Sequence, residues 1–128
     1  LFRSDFIIMN PPFHDKPLKA RQDLFKSLMR QYEDRIPIIV ERSPNSNLPM
    51  INKRNYLVPN TMTIASFRKI IKERLQISSS QSLHLYAGKK PLYCGDTIMS
   101  VLYNQEKDPN DGFLYIRYFE ENVFGKNA

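Results

Sequence analysis

The stretch from Phe113 to Phe119 is apolar at every position but Arg117. A strand with no polar face belongs in the middle of a sheet that is covered on both sides, not at its edge. The whole chain is 128 residues and 15.1 kDa, one domain by size and large enough for a real core. The other elements must therefore assemble around this last strand.

Working back from it, the chain offers few candidates. Leu24, Phe25, Leu28, Met29 and Tyr32 recur at three- and four-residue spacing after Pro17 and predict a helix, with Pro37 ending any continuation. Ile36 to Arg42 is rich in Ile and Val and reads as a strand. Ser43 to Asn47 is a turn, and a second strand follows around Lys53 to Val58, closed by Pro59. Thr63 can cap a helix running to about Leu75, with Phe67, Ile70, Ile71 and Leu75 on one face. Leu83 to Ala87 is a short strand, Gly88 to Pro91 a turn, and Thr97 to Tyr103 one or two helical turns with Ile98, Val101 and Leu102 inward. Asp108 to Gly112 turns the chain into the final strand. A hairpin, a crossover helix on one face and a central last strand predict an α+β chain, a ubiquitin-like β-grasp with an added N-terminal helical segment. Residues 1–11 are set apart as an N-terminal extension or cloning remnant, 12–119 as the domain, and 120–128 as a flexible tail. Within the extension, Asp5-Phe6-Ile7-Ile8-Met9 has an acidic residue before an aromatic and a large apolar residue three on.

Most chemistry is missing. No apolar run approaches the ~18 residues that span a bilayer. The single Cys94 excludes a disulfide framework and a Cys-based zinc site. There is no glycine-rich phosphate loop, and His14 and His84 read as ordinary side chains rather than metal ligands. Glu33-Asp34 and Glu120-Glu121 read as solvated neighbours rather than an acid–base pair. The expectation is no catalytic residue, no metal and no cofactor, so not an enzyme. The net charge of +6 is unevenly placed: residues 1–60 carry +4, residues 61–77 carry +3 and residues 78–128 carry −1. A small basic nucleic-acid binder would use Arg68, Lys69, Lys72 and Arg74, but no aromatic stacking signature accompanies them, and nucleic acid is not the expected partner.

Two runs carry a resemblance. Tyr32-Glu33-Asp34-Arg35-Ile36-Pro37-Ile38-Ile39-Val40-Glu41-Arg42 and Asn52-Lys53-Arg54-Asn55-Tyr56-Leu57-Val58-Pro59 closely resemble the autophagy ubiquitin-like modifiers, the group of GABA-receptor-associated protein and the microtubule-associated-protein light chains. Phe67 to Leu75 and Asp108 to Gly125 agree, in the same order and spacing. The resemblance implies a precursor cut by a cysteine protease behind Gly125, then passed by activating and conjugating enzymes to the amine of phosphatidylethanolamine. Phe124 would be the aromatic gripped beside the cut. A glycine at that place leaves an uncrowded carboxyl for thioester chemistry.

The resemblance also implies capture of receptor peptides that are acidic and carry an aromatic residue with an aliphatic one three positions on. The peptide would add to the edge of the second strand. Its aromatic pocket would be Leu28, Pro37, Leu57 and Phe113. Its aliphatic pocket would be Tyr56, Val58, Pro59, Met62, Phe67 and Ile70. Arg35, Lys53, Arg54 and Arg74 would meet the acidic flanks. Asn55 stands where the family commonly has Lys. The implied places are the cytoplasm and, after lipidation, the autophagosomal membrane. The alternative is a β-grasp adaptor that binds peptides or tubulin and is never conjugated.

Overall fold

The computed structural model describes the backbone of Ile7–Ile8 and residues 16–120. Its elements in chain order are β1 (Ile7–Ile8), α1 (Leu18–Gln31), β2 (Arg35–Arg42), β3 (Asn55–Pro59), α2 (Ile64–Leu75), β4 (Leu83–Ala87), β5 (Lys90–Pro91), α3 (Met99–Glu106) and β6 (Leu114–Glu120). The sheet order is β1-β3-β2-β6-β4-β5, so the last strand does lie inside the sheet. It pairs parallel to β2 and antiparallel to β4. A parallel pair cannot be closed by a tight turn, and α2 lies in the connection between the two halves.

The two faces are covered by different helices. Ile36, Ile38 and Val40 of β2, Tyr56 and Val58 of β3, and Leu114, Ile116 and Tyr118 of β6 pack with α2 in the larger core. On the other face Ile39, Leu57 and Phe113 meet Leu28 of α1, with Leu24, Phe25 and Tyr115 beside them. Beyond the reach of α1 that second face carries a ring cluster, with His84 stacked on Phe119 and Tyr86 edge-on to it.

Local signals explain the boundaries. Thr63 caps α2 by accepting from the Ser66 amide at 3.1 Å. Gly88, at φ 63°, turns β4 into β5. Other expectations are corrected. Pro37 does not terminate a helix; α1 has ended at Gln31, and Pro37 lies buried inside β2. It is tolerated there because its pairing with β6 begins only at Ile38. Lys90–Pro91 is a short strand rather than part of a turn. Val101 is 43% exposed, because the helix starts one residue after Ile98 and aligns Met99 and Leu102 with the core instead. Ile7 and Ile8, set apart in the sequence reading, pair with the chain's own β3.

Tyr118 pins the loop after β2. Its buried hydroxyl donates to the Pro49 carbonyl at 2.6 Å and accepts from the Ile51 amide at 2.9 Å. Tyr118→Phe leaves that amide without its acceptor, so a loss of about 2 kcal/mol in urea unfolding is expected. A midpoint unchanged from the parent would contradict this role.

Candidate peptide-binding edge

The hairpin places β3 toward one side of the sheet. Val40 N–H donates to the Arg54 carbonyl at 2.8 Å, and Ile38 pairs with Tyr56, Pro37 with Leu57 and Ile36 with Val58. Bonded and non-bonded pairs alternate along an antiparallel ladder. Tyr56 and Val58 therefore direct their backbone groups to β2, and Asn55, Leu57 and Pro59 direct theirs outward. Pro59 has no N–H, so the outward donors of β3 are Asn55 and Leu57. Arg35 Nη1 donates to the Leu57 carbonyl at 3.3 Å, which leaves that oxygen a second lone pair.

The residues assigned to an aromatic pocket do come together. Leu28, Leu57 and Phe113 share one cluster, and Pro37 sits opposite Leu57 in the ladder. All four are buried, so in this structure the space between them is filled. The aliphatic set divides into floor and rim. Tyr56, Val58 and Phe67 are fully buried, with Tyr56 and Phe67 edge-to-face at 5.9 Å. Met62 and Ile70 are partly buried against that core, and Pro59 is half-buried. The rim is held by α3, since Met99 N–H donates to the Met62 carbonyl at 2.7 Å and Ser100 N–H to that of Asn60 at 3.0 Å.

The cations do not form one patch. Arg35 lies opposite Pro59 at one end of β3, while Lys53 and Arg54 precede Asn55 at the other. Arg74 lies on α2 and reaches the Tyr56 hydroxyl, which itself donates to the Lys53 carbonyl at 2.7 Å. Burial pushes that hydroxyl up to about 12, against the pull of Arg74. Asn55 is buried, unlike a solvated lysine. Of the cations considered for nucleic acid, Arg68 donates to the Leu92 carbonyl at 2.8 Å and Lys72 to that of Ser79 at 2.9 Å, so both are tied to their own chain. Gly125 and Phe124 lie outside the described residues.

A further group holds the site together. Buried Asp111 accepts from Arg21 Nε at 3.1 Å, from the Tyr115 hydroxyl and from the Phe113 amide at 2.9 Å. Gln22 adds a bond to the Asn110 carbonyl at 2.9 Å. Gly112, at φ 89°, accepts the ring of Phe25, and a Cβ there would lie 2.7 Å from it. These contacts seat α1, and with it Leu28, on the sheet. Burial and the bond to Asp111 push the Tyr115 hydroxyl up, and the same carboxylate raises Arg21. The turn composition of Asp108 to Gly112 carries no local sign of this role of Asp111. Glu120 was also more than a solvated carboxylate. Burial alone would raise it, but the Ser46 hydroxyl at 2.7 Å and the Asn47 amide at 2.9 Å hold it below its ordinary value.

A β-grasp with a helix on each face, a strand-accepting edge and cations at both ends of that edge can be set beside known proteins. The family described as Autophagy protein Atg8 ubiquitin like matches residues 20–125. This chain belongs to the Atg8 family. Autophagy-related protein 8d of Arabidopsis thaliana is 38% identical over 112 residues, spanning 88% of this chain and 92% of that protein. Autophagy-related protein 8B of Oryza sativa subsp. indica is 37% identical over 111 residues, spanning 87% and 92%. The crystal structure of Trypanosoma brucei ATG8 superposes with a TM-score of 0.79 at 28% identity, covering 91% of this chain and all of that one. As an Atg8 protein, the chain is a ubiquitin-like modifier of autophagy. Its Atg8 match includes Gly125 at the final matched position.

Proposed function

We propose that this Atg8 protein captures acidic receptor peptides as an added strand on β3 and carries them to autophagosomal membranes. The peptide's aromatic side chain is taken between Leu28, Pro37, Leu57 and Phe113, and its aliphatic one at the rim of Pro59, Met62 and Ile70 over Tyr56, Val58 and Phe67. Arg35, Lys53, Arg54 and Arg74 meet the acidic flanks. A cysteine protease cuts behind Gly125, beside Phe124, and activating and conjugating enzymes join the new carboxyl to phosphatidylethanolamine. The protein is the substrate of that chemistry and not its catalyst, and it works without cofactor between cytoplasm and membrane.

The observation that carries the capture reading is the outward row of Asn55 and Leu57, because a strand already pairs there in this structure. Opening the closed aromatic side requires α1 to shift against Leu57, and the bond network at Asp111 sets how far it does so. Intact-mass analysis of protein recovered from membranes tests the conjugation. A chain ending at Gly125 plus one phospholipid is expected, and an uncut chain on the membrane favours the unconjugated adaptor. For capture, Lys53→Glu is expected to weaken a fluorescent acidic peptide about fivefold and to flatten the salt dependence of binding. An unaltered salt slope would remove Lys53 from the site.

A further inference from the structure

The β3 edge is not empty. Ile7 pairs with Leu57 and Ile8 with Tyr56, antiparallel, so the chain's own second strand position is filled from its N-terminal segment. By the alternation of the ladder, Leu57 is the residue whose N–H and C=O face outward, and Ile7 is the residue set against them. The pairing is two residues long, shorter than an external peptide that would run along Asn55 to Pro59. It is therefore placed to cover the edge and still be displaced.

We infer that residues 7–8 act as an internal competitor, covering the edge on which the proposed capture depends. This rests on the capture reading of the same edge. A site that is open only a fraction of the time binds with an affinity reduced by that fraction. The cover also shields an unpaired edge from association with other strands. In this arrangement the N-terminal segment sets the threshold for a receptor peptide. A long peptide that pairs along all of β3 displaces it, and a short or weakly pairing one does not.

The experiment compares the full chain, a chain beginning at Met9 and full-length Ile7→Pro, which removes the N–H set against Leu57. Each is titrated with a fluorescent synthetic peptide carrying three Asp, then Trp-x-x-Leu, and the amide exchange of Leu57 is followed by NMR. Both altered forms are expected to bind about tenfold more tightly and to exchange the Leu57 amide faster. Equal affinity and equal exchange in all three forms would overturn the competitor while leaving capture intact. No peptide binding in any form would overturn the capture reading, and the competitor with it. An affinity gain that disappears on dilution of the protein would assign the covering strand to a second copy and overturn the intramolecular cover.

Discussion

Asp111→Ala is expected to lower the stability of the protein to urea by about 3 kcal/mol, one of the larger losses a single substitution produces. The carboxylate is buried and accepts from three groups on two separate parts of the chain. Removing it takes an acceptor from the buried Phe113 amide and from the half-buried Tyr115 hydroxyl, and releases the Arg21 side chain of α1 from that carboxylate. Each buried donor left without an acceptor costs about 1–3 kcal/mol. Asp111→Asn keeps one acceptor oxygen and is expected to cost less than half as much. Because Leu28 rides on α1, the alanine variant is also expected to weaken the acidic peptide more than Lys53→Glu does. A loss below 1 kcal/mol would mean that α1 is held by its apolar contacts alone.

The second large effect is all-or-none. Gly125→Ala is expected to leave the urea midpoint where it was and to abolish both cleavage and the phospholipid-bearing species. The expected readout is an intact mass that retains Lys126-Asn127-Ala128 and the absence of protein from washed membranes. The physical reason is the added Cβ, which crowds the carbonyl that a protease thiol must attack and the carboxyl that must form a thioester. Normal cleavage and membrane recovery of the alanine variant would displace the conjugation reading in favour of the adaptor.

What could be read in the sequence follows the range of the interactions. Thr63 as a cap, Leu83 to Ala87 as a strand and the central place of the last strand all came from signals within a few residues, and the structure agrees. The buried face of α2 was legible for the same reason, since Phe67, Ile71 and Leu75 repeat at helical spacing, whereas the peptide pockets entered only through the family resemblance. The link from Arg21 to Asp111 was not. Neither residue has a local pattern that marks it, and Asp-Pro-Asn-Asp-Gly is a good turn whether or not one carboxylate is buried. The β1 pairing was hidden for a related reason. Two isoleucines are too short to declare a strand, and only the outward groups of Leu57 show that they have a place to go. Val101 fails as a core residue because α3 begins at Met99, two residues after Thr97, and turns Met99 and Leu102 to the core instead.

The parallel pairing of β2 with β6 has a consequence for how the molecule is made. Ile38 must wait for Leu114, so the core cannot close until nearly the whole described chain has left the ribosome. Pairings this distant in sequence are slow to form, because the loop between them must be closed before any contact is made. Until then the nascent hairpin of β2 and β3 is without its central neighbour, the period in which a chaperone would matter most.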